Sequence, residues 1–102
     1  MVTIDDYVQP TDDWRFGPDF FNRVARGVTV QAVDSVTVED SAGLDVTSTI
    51  LVGGSEQVDA NPTSCSARFH GFVDGETYIA TFVATLSTGE KRTGKIKMPC
   101  RA

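Results

Sequence analysis

An all-β domain, built as an antiparallel sandwich of about seven short strands, is the fold the sequence predicts. Three observations lead there. Val and Thr are prominent where Leu and Lys would dominate a helical protein, and β-branched side chains suit a pleated surface. From Val28 onward apolar residues recur with a period of two. Turn formers punctuate the chain about every 8–12 residues. The length, 102 residues, makes one domain that buries roughly 60–70% of its unfolded surface, enough for one core.

Each element follows from its own stretch. Residues 1–12 are polar and broken by Pro10, which predicts an extended arm preceding a domain over 13–102. "DDWRFGPDFFNRVARG" brings Trp14, Phe16, Phe20 and Phe21 close together. Asp19 is placed to cap a short helical turn over 20–26, ended by Gly27. In "VTVQAVDSVTVED", Val28, Val30, Ala32, Val36 and Val38 share one parity, with a turn or bulge at Asp34 and Ser35. "DVTSTILV" (45–52) reads as a strand closed by Gly53 and Gly54, and "SEQVDANPTS" as a loop. "SCSARFHGF" alternates again, with Cys65, Ala67 and Phe69 on one side.

The most regular stretch is "VDGETYIATFVATLSTGEKRTGKIKM". Tyr78, Ala80, Phe82, Ala84 and Leu86 share one face; Ile79, Thr81, Val83 and Thr85 share the other. A turn over 87–90 returns the chain with Ile96 and Met98 inward and Lys91, Lys95 and Lys97 outward. Tyr78 opens its strand just after Asp74 and Gly75 and two positions before Ala80. That is the form of a tyrosine corner, in which the phenol reaches back to an upstream backbone group. It narrows the expectation to an Ig-like or fibronectin type III-like sandwich. Ala80 stands where an antibody domain has its second cysteine, and Ala32 at the first, so packing alone holds these sheets.

Charge divides the chain. Net charge is −5; residues 1–60 hold eleven acids and three bases, and residues 61–102 hold six bases and three acids. Either both ends are solvated faces, or the polarity steers one copy head-to-tail onto another or docks the basic end on an acidic partner. Overall acidity disfavours nucleic acid, which needs a concentrated basic surface. The first residues lack the basic and apolar regions of a signal peptide, and no apolar run approaches the roughly 20 residues of a membrane helix. An intracellular product without membrane attachment is therefore expected.

Chemistry finds little support. His70, the single histidine, points by parity away from Cys65, so a Cys–His pair fails. Cys65 and Cys100 fit no zinc pattern, and are read as buried thiols or, alternatively, as a disulfide pair. The carboxylate pairs at Asp5 and Asp6, Asp12 and Asp13, and Glu39 and Asp40 are sequence neighbours without the convergence that glycosidase or calcium chemistry needs. "VGGSE" is followed by no helix pattern and makes no phosphate loop. No catalytic residue, metal or cofactor is expected. The aromatic group either caps the core or, with Arg15, forms an interface patch; a carbohydrate platform is a third alternative.

The run Gly75, Glu76, Thr77, Tyr78, Ile79, Ala80, Thr81, then Thr85, Ser87 and Gly89 and a charged return strand, resembles the C-terminal hairpin of small Ig-like structural proteins of tailed bacteriophages. Asp13 with Trp14, and "TSTILVGG" with its Gly-Gly exit, look like theirs too, so the resemblance spans most of residues 12–98. A longer middle loop (55–64), the Phe-rich segment and two cysteines depart from it. The resemblance implies a non-enzymatic virion component. It would be a capsid decoration or head–tail accessory subunit contacting other virion proteins or itself, with Gly75, Tyr78, Ala80 and Trp14 structural. Trp14, Arg15, Phe16, Phe20, Phe21, Lys91, Lys95 and Lys97 are the candidate interface residues. The alternative is an Ig-like binding module for carbohydrate or a host surface.

Overall fold

Strict alternation makes the strand β6, Thr77–Leu86, the centre of the fold. Its even-numbered side chains are buried and its odd-numbered ones half-buried. In the computed structural model, which describes residues 2–3 and 7–101, β6 pairs antiparallel with β7 (Lys91–Pro99) on one side and β3 (Val30–Glu39) on the other. A short β1 (Val2–Thr3) adds to the far edge of β7 in parallel, giving the order β1-β7-β6-β3. A second sheet has the order β2-β5-β4, from Trp14–Phe16, Cys65–Phe69 and Gln57–Val58. The chain is thus all-β and sandwich-like. One core lies between the sheets, where Phe69 of β5 meets Phe82 of β6 edge to face at 6.1 Å.

Tyr78 is buried, and its hydroxyl accepts the Val73 N–H at 2.9 Å. Gly75 takes φ +84°, a left-handed turn conformation that suits glycine, and its N–H reaches the Cys100 carbonyl. Ala80 is fully buried between Val38 and Ile96 in register. Gly94 lies opposite Phe82 on β7, and there the absent side chain matters: a Cβ would come within 2.8 Å of Pro18 and 3.1 Å of Phe20. Cys65 and Cys100 are buried free thiols, not a disulfide. Burial, with Asp59 nearby, pushes the Cys65 thiol up to about 11.

Several elements differ from expectation, each for a local reason. Residues 45–52 form no strand but one helical turn, α1 (Thr47–Ile50). Asp45 accepts hydrogen bonds from the Thr47 N–H and hydroxyl, and that hydroxyl oxygen accepts the Val38 N–H. Such local bonds outcompete the β propensity of "VTSTI". Of the turn or bulge expected at Asp34 and Ser35 it is the bulge that forms: β3 runs on without reversing, with one irregularity at Asp34 and a second, unexpected one at Gln31. These two extra residues put Val30, Val33 and Val36 on the core side and leave Ala32 exposed, so Ala32 occupies no inter-sheet cysteine position.

The helical turn over 20–26 shrinks to a 3-10 turn, Phe21–Arg23. Asp19 does accept the Phe21 N–H, but the Phe20 N–H bonds the Thr63 carbonyl and Val24 is already extended. The 55–64 loop contains β4. The N-terminal segment is not free where it is described: β1 is paired, and Val8 is buried and bridged to Cys100. Residues 1 and 4–6 of that expected arm lie outside the described residues.

Two substitutions test this packing. Tyr78→Phe should cost about 0.5–1.5 kcal/mol, the net value of one intramolecular hydrogen bond; unchanged stability in urea would show that the Val73 contact contributes nothing. Gly94→Ala should cost about 1–3 kcal/mol by overpacking against Pro18, lowering the melting temperature by roughly 4–8 °C for each kcal/mol.

Candidate interaction surface

The second sheet ends in β2, whose three residues pair, among the described residues, with β5 alone. Trp14 lies opposite Phe69 and Phe16 opposite Ala67, so both rings share the inner face with buried residues. They extend a row of rings: Trp14 stacks on Phe16 at 6.2 Å, Phe16 on Phe69 at 6.5 Å, and Phe69 meets Phe82. Burial decreases outward along the row. Phe69 and Phe82 are fully buried, Phe16 partly, and Trp14 is 58% exposed. Trp14 thus has the parity of a core residue with nothing over much of its ring. A large aromatic on a rigid edge, exposed but orientated, has the character of an interface anchor.

The opposite face of β2 explains its rigidity. Arg15 donates to the Ser55 carbonyl at 2.9 Å and to the Ser66 hydroxyl oxygen at 3.1 Å. The Ser66 hydroxyl, itself buried, donates to Asp59 at 2.6 Å, and Ser64 and Gln57 donate to the same carboxylate. Burial pushes the Asp59 carboxyl up, but these hydrogen bonds and the Arg15 charge outweigh it and hold the pKa below the ordinary value. Asp13 and Arg68 form a two-bond ion pair beside Trp14. Both partners are substantially exposed, so it contributes about 0–1 kcal/mol and mainly orientates the strand. Gly17 then lets β2 leave the sheet, since a Cβ there would sit 1.8 Å from the Cys65 carbonyl oxygen.

The candidate interface residues therefore separate. Trp14 and Phe21 are exposed, at 58% and 69%. Phe20 is wholly buried and is a core residue, unavailable to a partner. Phe16 is half-buried and stacked under Trp14 at the β2 ledge, and Arg15 is spent on Ser55 and Ser66 on the opposite face. Lys91 stays outward and exposed with the lysine row, but its ammonium is tied to Asp34 and Thr85. Lys95 and Lys97 remain exposed on the outer face of β7, next to Thr81 and Ile79 in register. His70 is exposed while Cys65 is buried. Among the described residues no three His, Cys, Asp or Glu side chains are grouped to hold a metal ion, and no helix is long and apolar enough to cross a membrane.

The Asp59 network escaped sequence reasoning, because Asp59 and Ser64 looked like loop composition and Ser66 like an ordinary position in an alternating strand. So did Leu44, which stands 64% exposed in the loop between Asp40 and Asp45.

Asp59 gives a pH test. Its pKa is depressed on folding, so its contribution is complete above the ordinary Asp value of 3.8 and is lost as pH falls through the lower folded-state value. Thermal melts should hold level down to about pH 5 and fall below about pH 4. Asp59→Asn should be less stable at neutral pH and show a flatter acid limb; an unchanged limb would remove Asp59 from acid sensitivity. Beyond this geometry, a scan against protein-family models and searches of curated proteins and of solved structures found no match to the chain.

Proposed function

We propose that the chain is a non-enzymatic structural subunit of a tailed-phage virion, a capsid decoration or head–tail accessory protein that works by protein–protein contact. The observation that carries the contact is Trp14, an inward-parity ring left 58% exposed at the β2 edge and stacked onto a row that runs into the core. The virion assignment rests on the sequence resemblance of the 75–98 hairpin and of the Asp13 and Trp14 entry. The strand order is compatible with the Ig-like sandwich that this reading requires. The first strand lies parallel to the last, β7, β6 and β3 are neighbours, and β2, β5 and β4 form the facing sheet. On this reading they would take the Ig letters A′-G-F-C and B-E-D, with Tyr78 near the start of strand F.

A partner that covers Trp14 gains the burial of a large ring on a strand already ordered, so little conformational entropy is lost on binding. The experiment is to purify phage particles from the source culture, identify the chain in them by mass spectrometry, and repeat the assembly with Trp14→Ala. The variant should fold normally but be lost from particles at least tenfold, as for a hot-spot residue. Absence of the wild-type chain from particles, together with Trp14-dependent binding of the free protein to a glycan array, would overturn the proposal in favour of a carbohydrate-binding module.

A further inference from the structure

The two ends of the sandwich are complementary. At one end β3 finishes at Glu39, β6 begins at Thr77 and β7 finishes at Pro99. The 40–45 loop projects there. It is rigid: Asp40 accepts the N–H groups of Ala42 and Leu44 on one carboxylate oxygen, donates its own N–H to the Leu44 carbonyl, and accepts the Gly43 N–H on its carbonyl. Gly43 takes φ +79° to close the turn. The result holds Leu44 out in solvent between Asp40 and Asp45, with Glu39 and Glu76 close by; Glu76 accepts the Ser41 N–H.

At the other end, beyond Val30, Leu86 and Lys91, lies a cleft of about 490 Å³ lined by Phe21, Val24, Arg26, Val28 and Thr63 among others. It is largely apolar, has Phe21 exposed on its rim and carries Arg26; the Arg23 guanidinium lies 5.4 Å over the Phe20 ring, and Asp19 accepts the Phe21 N–H and the Thr63 hydroxyl. Neither arginine has an ion-pair partner among the described residues. Thr77 and Leu86 are nine residue steps apart on β6, about 30 Å at strand rise. That exceeds the Debye length of about 8 Å at physiological salt, so the ends do not neutralise one another within one molecule.

We propose that a second copy of this chain docks head-to-tail, with Leu44 of one copy seated in the Phe21 and Val24 cleft of the next, and Asp40 and Asp45 facing Arg23 and Arg26. The contact joins different surfaces of the two copies, so it extends into a ring or filament instead of stopping at a symmetric dimer. It uses neither Trp14 nor the β2 edge, and stands or falls separately from the ledge.

The test is sedimentation velocity from micromolar to millimolar protein at low and high salt. Wild type should sediment faster as concentration rises, and less so in high salt. Leu44→Asp and Arg26→Glu, both at exposed positions and checked for fold by circular dichroism, should each associate at least tenfold more weakly, the effect of losing one anchor. Mixed together they should give dimers and no larger species, because only one intact loop and one intact cleft remain per pair. Trp14→Ala should associate as wild type does. A wild-type chain that stays monomeric at millimolar concentration, variants that associate normally, or association abolished by Trp14→Ala would each overturn the proposal.

Discussion

The edge-to-face contact between Phe69 and Phe82 sets the register of everything around it. Phe82 sits in the middle of β6 with Ala80 and Ala84 on either side, so one large ring occupies space that two small residues leave open. β7 answers with Gly94 directly opposite, and the volume a side chain would take is filled by Pro18 and Phe20 from the segment after β2. Slipping β6 by one residue would send Phe82 to solvent and bring Thr81 and Val83 inward. At about 25 cal/mol per Å² of apolar surface, exposing one such ring alone is a loss of several kcal/mol. The alternation of large and small residues in β6 is therefore a packing code as well as a strand signal.

That distinction explains how much could be read from the chain. The hairpin of β6 and β7 was legible because period-two alternation persists for ten and nine residues. The strands β1, β2 and β4, of two, three and two residues, are too short to display any period. They exist because longer neighbours offer them an edge. β3 misled parity counting after Val30, since each irregularity flips the side-chain direction and two of them restore it by Val36 and Val38. Residues 45–52 misled propensity, because two hydrogen bonds from Thr47 to Asp45 decide the backbone before any sheet can. About seven strands were expected and seven are present among the described residues, but with different membership.

The surface was less legible than the core, again for a physical reason. Whether an aromatic is covered depends on what lies across from it, and sequence spacing carries no record of that. Trp14, Phe16, Phe20 and Phe21 look equivalent as letters. The Phe20 N–H bond to Thr63 carries that residue over Gly94 and buries its ring. Trp14, two residues from Phe16 on the same face, lies at the exposed end of the row, with no further ring stacked on it among the described residues. Lys91 likewise looks like Lys95 and Lys97, until Asp34, the extra residue of β3, is brought against it.

Sheet edges show why the ledge at β2 differs from the other borders. An unpaired edge is a template for another strand, and proteins shorten, bend or charge such edges to prevent pairing. β3 is bent by its irregularities and its last residues are covered by the 45–47 segment; β4 is only two residues long. β2 is short too, and Asp13, Arg15 and Arg68 place charge beside it, which discourages strand addition. Yet those charges are mostly spent internally, on the ion pair and on the Ser66 network, and none screens the Trp14 ring. An edge closed to backbone pairing but open to side-chain burial favours a specific docked surface over indiscriminate strand exchange.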